Sequence, residues 1–272
     1  MSPIAVFDSG YGGLTVLVEL LKKFPDYDFI YLGDNARAPY GGRSFEVVYK
    51  YTLEAVEALF AKGSHLVLLA CNTASAKALR TIQQKNLPLI DPSRRVLGVI
   101  RPSVEVLGNI TKSRIVGVMG TIGTVFSNSY SLEIAKLFPE IKTVQEACPM
   151  WVPLVENNEH LSEGALYFVR KNIENLFNRE PDIDTLILGC THYPLLLPVI
   201  EKYIPNNVKV LTQGSIVAES LYDYLHRHPE IDKKCSRNGS RIFFTTENPE
   251  KFNNASSLFL NYEVEAERIE LG

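Results

Sequence analysis

The chain has no apolar stretch near the 18 or more residues needed to span a bilayer, which argues against a helical membrane protein. It has no surplus of either charge. Lys and Arg number 28 against 31 Asp and Glu, a net −3, with no long basic run. A nucleic-acid backbone or an anionic membrane surface would find little electrostatic support on such a chain. Cysteine is scarce: four in 272 residues are too few for a disulfide framework. No Cys-x-x-Cys pair occurs and the five histidines are scattered. His226 and His228 stand at i, i+2 in a helix-like stretch, which puts them on different faces, so no metal site is expected. The opening MSPIAVFDSG has neither the basic n-region nor the long apolar core of a signal peptide, and the expected location is cytoplasmic. With 46% hydrophobic and 22% charged residues the composition is ordinary for a globular chain. Its length suits one large domain or two small ones.

What the sequence does have is a rhythm. Short apolar runs recur at Ile4–Phe7, Phe29–Leu32, Leu66–Ala70, Arg95–Val99, Arg114–Val118, Thr143–Glu146, Thr185–Leu188, Val208–Leu211 and Arg241–Phe244. Amphipathic stretches lie between them, at Gly13–Lys23, Ser44–Ala61, Thr73–Gln84, Thr124–Phe138, Ser162–Phe177 and Ile216–His226. Strand alternating with helix predicts an α/β fold with parallel sheets flanked by helices. Leu66–Thr73 and Thr185–His192 both read as apolar strand, small residue, Cys, then polar residues entering a helix. Ile4–Phe7 and Ile115–Val118 are likewise similar, at nearly the same offset. Two similar α/β halves, each placing one cysteine at a strand end, are therefore expected. The division is discontinuous, residues 1–97 with 208–272 forming one domain and 98–207 the other, because Arg95–Val99 ends a first series and Val208–Leu211 resumes it.

In such sheets ligands bind beyond the carboxyl ends of the strands. The residues there are Asp8-Ser9-Gly10-Tyr11-Gly12-Gly13, Gly33-Asp34 leading to Pro39-Tyr40-Gly41-Gly42, Cys71-Asn72-Thr73, Gly120-Thr121-Ile122-Gly123-Thr124 and Cys190-Thr191-His192. The glycine-rich turn is neither G-x-G-x-x-G nor a P-loop; it reads as a tight turn that delivers Asp8 and Ser9 to a site. Cys148 and Cys235 read as ordinary small buried hydrophobes. Cys71 and Cys190 do not. Each follows an apolar strand and precedes a helix N-terminus, where backbone N–H groups are expected to lower a thiol's pKa from about 8.5. One thiol beside a histidine would suggest acyl transfer. Two thiols, one from each half, suit the inversion of a carbon centre: one takes a proton from one face while the other delivers a proton to the opposite face. The neighbouring Asn, Thr and Ser groups would bind an amino acid's carboxylate, and Asp8 would engage its ammonium or accept the thiol proton.

Five blocks carry a family resemblance: Phe7-Asp8-Ser9-Gly10-x-Gly12-Gly13-Leu14; Leu32-Gly33-Asp34 with Pro39-Tyr40-Gly41; Ala70-Cys71-Asn72-Thr73-Ala74; Val152-Pro153-Leu154-Val155-Glu156; and Leu188-Gly189-Cys190-Thr191-His192-Tyr193-Pro194. In this order they resemble the bacterial glutamate racemases of the aspartate/glutamate racemase superfamily. The resemblance implies two similar Rossmann-like domains with the active site in the cleft between them, usually in a homodimer, and a cofactor-independent isomerase whose D-glutamate supplies peptidoglycan. It implies that Cys71 and Cys190 are the acid/base pair, Cys71 acting on the D and Cys190 on the L enantiomer. Asp8, His192 and Glu156 would assist them, and His192 and Asp8 would also touch substrate. Ser9, Tyr40, Gly41, Asn72, Thr73 and Thr191 would hold the substrate, with Thr121 and Thr124 as further contacts. One departure is Trp151, where the family pattern suggests an aromatic such as Phe. A racemase of another acidic amino acid such as aspartate, or a non-catalytic binder of small anions, are the alternatives; the latter would need neither thiol.

Overall fold

A computed structural model describes residues 1–260 and 262–272. The elements in chain order are β1 (Ile4–Asp8), α1 (Leu14–Lys23), β2 (Phe29–Gly33), α2 (Phe45–Ala61), β3 (Leu66–Leu69), α3 (Asn72–Lys77), α4 (Leu79–Thr81), α5 (Leu87–Ile90), β4 (Arg95–Gly98), α6 (Ile100–Glu105), β5 (Ile115–Gly120), α7 (Ile122–Phe126), α8 (Ser129–Leu137), β6 (Lys142–Ala147), α9 (Trp151–Glu156) and α10 (Glu163–Arg179). They continue with β7 (Thr185–Gly189), α11 (Leu197–Ile200), β8 (Lys209–Leu211), α12 (Gln213–Arg227), α13 (Pro229–Asp232), β9 (Arg241–Thr245), α14 (Pro249–Ser256) and β10 (Ala266–Arg268). All nine apolar runs are strands. The short, polar β10, which no apolar run announces, extends the first sheet by pairing with β9.

Two all-parallel sheets result, ordered β10-β9-β2-β1-β3-β4 and β6-β5-β7-β8. The order β2-β1-β3-β4 in the first is matched by β6-β5-β7-β8 in the second, so the repeat seen in the sequence is a repeat of topology. Helices cover both faces, which is why the central strands are continuous apolar runs rather than alternating ones. In β1, Ile4 and Val6 face a cluster with Leu17, Leu20 and Leu221. Ala5 and Phe7 face Val56, Leu59 and Phe60 of α2 on the other side. In the second sheet, Leu186 and Leu188 pack on α10 through Val169 and Ile173, while Val116 and Val118 pack on Ile134 and Val104. Helix ends follow local chemistry. Ser44 and Ser162 accept the N–H groups of Val47 and Ala165 to cap α2 and α10, and Lys22 and Lys23 close α1 where the helix dipole favours cations.

One boundary differs from expectation. Lys209–Leu211 pairs with β7 in the second sheet, so the segment from 208 does not rejoin the first domain. The return comes one element later, at α12, whose Val217, Ala218, Leu221 and Leu225 enter the core shared with α1. The topological repeat explains this: β8 occupies the place in its sheet that β4 occupies in the other.

Among the described residues, no helix is long and apolar enough to cross a membrane.

Candidate active site

The carboxyl ends of β1, β3, β5 and β7 meet. Strand pairing sets Phe7 opposite Leu69 and Gly120 opposite Gly189, so each cysteine emerges beside the end of a central strand: Cys71 beside Asp8-Ser9, Cys190 beside Thr121. Contacts then cross between the halves. Thr191 Oγ1 donates to Asp8 Oδ1 at 3.4 Å, and the Thr73 hydroxyl lies 2.9 Å from that of Thr121, which also bonds Thr124 at 3.1 Å. Gly123 N–H donates to the Gly41 carbonyl at 2.7 Å, joining the Pro39–Gly42 loop to α7.

Cys71 is 6% exposed and precedes α3 as its N-cap. Its Sγ accepts from Ala74 N–H at 3.5 Å and its S–H donates to Ser9 Oγ at 3.4 Å. The expectation of a lowered thiol pKa fails here. Burial, with the negative Asp8 carboxylate second, pushes Cys71 up to about 12 against the bonds to Ser9 and Ala74. Desolvation outweighs one short helix end, and the group is a thiol at neutral pH. Asp8 is completely buried, and burial raises its pKa against the positive charge of His192 and the Gly10 and Gly13 N–H groups. Its Oδ2 accepts from Gly10 N–H at 3.0 Å, so it braces the glycine turn, while α1 is capped by Gly13 without a side-chain bond.

Cys190, also 6% exposed, has different company. Its Sγ is 3.9 Å from His192 Nδ1, and His192 Nε2 lies 3.1 Å from Glu156 Oε1, at the end of α9. Burial disfavours a charged imidazole, but the bonds with Cys190 and Glu156 outweigh it and push His192 up to about 10. The ring sits edge-on to Phe259 at 5.8 Å. Glu156, His192 and the Cys190 sulfur thus form one hydrogen-bonded chain. Gly12 is what lets the halves close on this pair: a Cβ there would lie 2.3 Å from Thr191 Oγ1 and 2.4 Å from His192 Nδ1. These side chains pack directly against the turn, and the Asp8 carboxylate accepts from its Gly10 N–H.

Both sulfurs are buried just beyond the carboxyl ends of equivalent strands, Cys71 beside the Asp8 carboxylate and the Ser9 hydroxyl, Cys190 beside the His192 imidazole. Residues 14–221, which contain both, match the family described as Asp/Glu/Hydantoin racemase. The chain belongs to the Asp/Glu/Hydantoin racemase family. The glutamate racemase of Geobacter metallireducens is 41% identical, the match covering 94% of this chain and 92% of that one. A glutamate racemase isoform from Bacillus anthracis superposes with a TM-score of 0.90 at 35% identity, covering 99% of this chain and 98% of its own. The glutamate racemase of Francisella tularensis, solved in complex with D-glutamate, does so with a TM-score of 0.87 at 31% identity, covering 99% and 97%.

Two side chains expected at the racemase site are committed elsewhere. Tyr40 is 1% exposed and packed near Phe7 and Tyr51. Its hydroxyl donates to Asp34, which Arg37 also engages at 2.7 Å. Asn72 is held at both ends of its amide: Nδ2 donates to Gln213 Oε1 at 2.6 Å and Oδ1 accepts from Tyr130 at 2.8 Å. Sequence reasoning missed Gln213 and Tyr130. Gln213 follows the end of β8 as Cys71, Thr121 and Cys190 follow theirs, and extending the same rule to β8 would have found it. Trp151 fits its place because Nε1 donates to Asn172 Oδ1 at 3.0 Å and the ring meets Tyr193 edge-on at 4.7 Å. Cys148 and Cys235 are buried, as expected of structural cysteines. Among the described residues, no cluster of three His, Cys, Asp or Glu could hold a metal.

Proposed function

We propose that this family member interconverts L- and D-glutamate by a two-thiol mechanism without a cofactor, and that the D-glutamate supplies peptidoglycan synthesis in the cytoplasm. One observation carries the reading: two buried sulfurs, on equivalent strands of the two halves, each with its own proton partner. Substrate lies between them with its Cα–H toward one sulfur. In the D-to-L direction Cys71 removes the proton and Cys190 delivers one to the opposite face; in the reverse direction the roles exchange. Before it can act as base, the Cys71 thiol must lose its proton, and Asp8, buried beside it with a raised pKa, is the group positioned to take it. His192, steadied by Glu156, returns or withdraws the proton at Cys190.

An amino acid Cα–H is a weak acid, and general acid/base catalysis contributes only about 10²–10⁴-fold. The rest comes from hydrogen-bond donors fixed where charge develops, in a site closed to water. Ser9, Thr73, Thr121, Thr124 and Thr191 offer hydroxyls for the substrate carboxylates. Asn72, its side chain engaged, contributes its backbone N–H at the first turn of α3, where amides have no intrahelical partner. Gly41 brings a backbone contact from the Tyr40 loop. The protein works as a homodimer, which light scattering of the purified protein checks.

The test is incubation of purified protein with L-glutamate in the absence of pyridoxal phosphate, followed by optical rotation. Decay of the signal to zero is expected, with L-aspartate unchanged under the same conditions. A stable L-glutamate signal, or racemisation of aspartate instead, overturns the reading.

A further inference from the structure

The amide of Asn72, the residue next to Cys71, is gripped by Tyr130 of the opposite half and by Gln213, where the chain returns to the first half. Asn72 is 2% exposed, Gln213 4% and Tyr130 0%. Tyr130 O–H donates to Asn72 Oδ1 at 2.8 Å, and Asn72 Nδ2 donates to Gln213 Oε1 at 2.6 Å. Gln213 Nε2 in turn donates to the Tyr130 hydroxyl and to Ser103 Oγ, both at 2.8 Å. The Ser103 hydroxyl donates to the Val99 carbonyl at 2.8 Å. The donors and acceptors run in one consistent direction, and a buried network satisfied in this way is rigid. Its members come from significant places. Asn72 starts α3 in the first half and Tyr130 stands on α8 in the second. Val99 with Ser103, and Gln213, lie at the two points where the chain crosses between sheets.

We infer that Gln213 and Tyr130 are positioning residues: they clamp Asn72 across the interdomain junction and so fix the aim of the Cys71 sulfur at the substrate carbon. The inference rests on the two-thiol reading above. It predicts an asymmetry, because the Cys190 sulfur bonds His192, which Glu156 holds, and bonds neither clamp residue; the Tyr130 ring does pack on Gly189, but Tyr130→Phe keeps that contact. Loosening the clamp impairs the proton transfer at Cys71 and leaves the one at Cys190 as it was.

The equilibrium constant of a racemisation is one, so kcat/KM falls equally in both directions and cannot report the asymmetry. A primary isotope effect can. Tyr130→Phe keeps the ring and removes the O–H that holds Asn72. The expected result is a fall in kcat/KM of about 10- to 100-fold, the scale of a misaimed reacting group. The isotope effect on kcat/KM with α-deuterated D-glutamate should rise above the wild-type value, and that with α-deuterated L-glutamate should fall towards unity. Gln213→Glu, which keeps an acceptor for Asn72 but loses the donors to Tyr130 and Ser103, should give the same pattern. A rate that falls with both isotope effects unchanged, or changed alike, overturns the positioning role while leaving the two thiols in place. Racemisation that survives in Cys71→Ser or Cys190→Ser overturns the two-thiol reading and this inference together.

Discussion

Replacing Gly12 by Ala tests whether the glycine turn exists to let the two halves meet. The added Cβ would sit 2.3 Å from Thr191 Oγ1, 2.4 Å from His192 Nδ1 and 2.6 Å from His192 Cε1, where ordinary contact begins at 3.4 Å. Something must move by about 1 Å, the distance at which misplacement of a reacting group costs about 10²-fold. Neither neighbour can yield freely. Thr191 is tied to Asp8 through its hydroxyl and to the Thr15 hydroxyl through its carbonyl at 2.9 Å. His192 is tied to Glu156 and Cys190. Overpacking of this kind costs about 1–3 kcal/mol of stability, less than a typical total of about 5–15 kcal/mol, so the variant should still fold at 25 °C. Polarimetric racemisation of L-glutamate should therefore drop about 100-fold, while the thermal midpoint falls by only several degrees. Gly164→Ala, whose new Cβ would find its nearest neighbour at 3.4 Å, is the control and should racemise at the normal rate. A Gly12→Ala enzyme with normal activity, or one whose loss merely tracks its unfolded fraction, would refute the reasoning.

Glu156→Gln keeps an acceptor for His192 but removes the negative charge that favours the imidazolium, so the imidazole should lose its proton at lower pH than in the wild type, and the activity limb that follows it should shift the same way. The rate should fall roughly tenfold or more. Because His192 is raised to about 10, it stabilises the fold fully below its ordinary value of 6.5 and progressively less as pH rises towards 10. Thermal melts across that window should show the gap between wild type and variant closing. Asp184 answers to the opposite sign. Although burial opposes it, the Ser113 and Lys112 N–H groups and the Thr111 and Thr185 hydroxyls hold its carboxyl down to about 2. Asp184→Asn should cost about 1–2 kcal/mol at pH 7, the scale of a charge-assisted bond, with a deficit that shrinks as pH falls from 4 to 2.

Much of this was legible because apolar runs long enough to be buried on both faces have few alternatives to parallel strands. The polar residues after them mark the site for the same reason: at the carboxyl end of a strand the chain leaves the core and must offer hydrogen-bonding groups. Asp8, Cys71, Thr121 and Cys190 stand at such strand ends, where the sequence pattern puts them. Pairing is another matter. The run Val208–Leu211 carries nothing that says which sheet it joins, and only its equivalence to Arg95–Gly98 in the repeat assigns it to the second. Side-chain commitments were hidden as well. Tyr40 and Asn72 sit in motifs that suggest substrate contact, yet Asp34, Gln213 and Tyr130 reach them from positions distant in sequence. The Cys71 thiol shows the limit of local reasoning about charge: a helix start promises a lower pKa, and burial beside Asp8 reverses it.

The central claim is that each sulfur serves one face of the substrate carbon. The direct test uses Cys71→Ser and Cys190→Ser with glutamate bearing a leaving group on its β carbon, since elimination needs only one base. Each variant should lose racemisation, yet each should eliminate from one enantiomer: Cys190→Ser from the D form, where Cys71 remains as base, and Cys71→Ser from the L form. Elimination from the same enantiomer by both variants, or wild-type racemisation by both, would contradict the account.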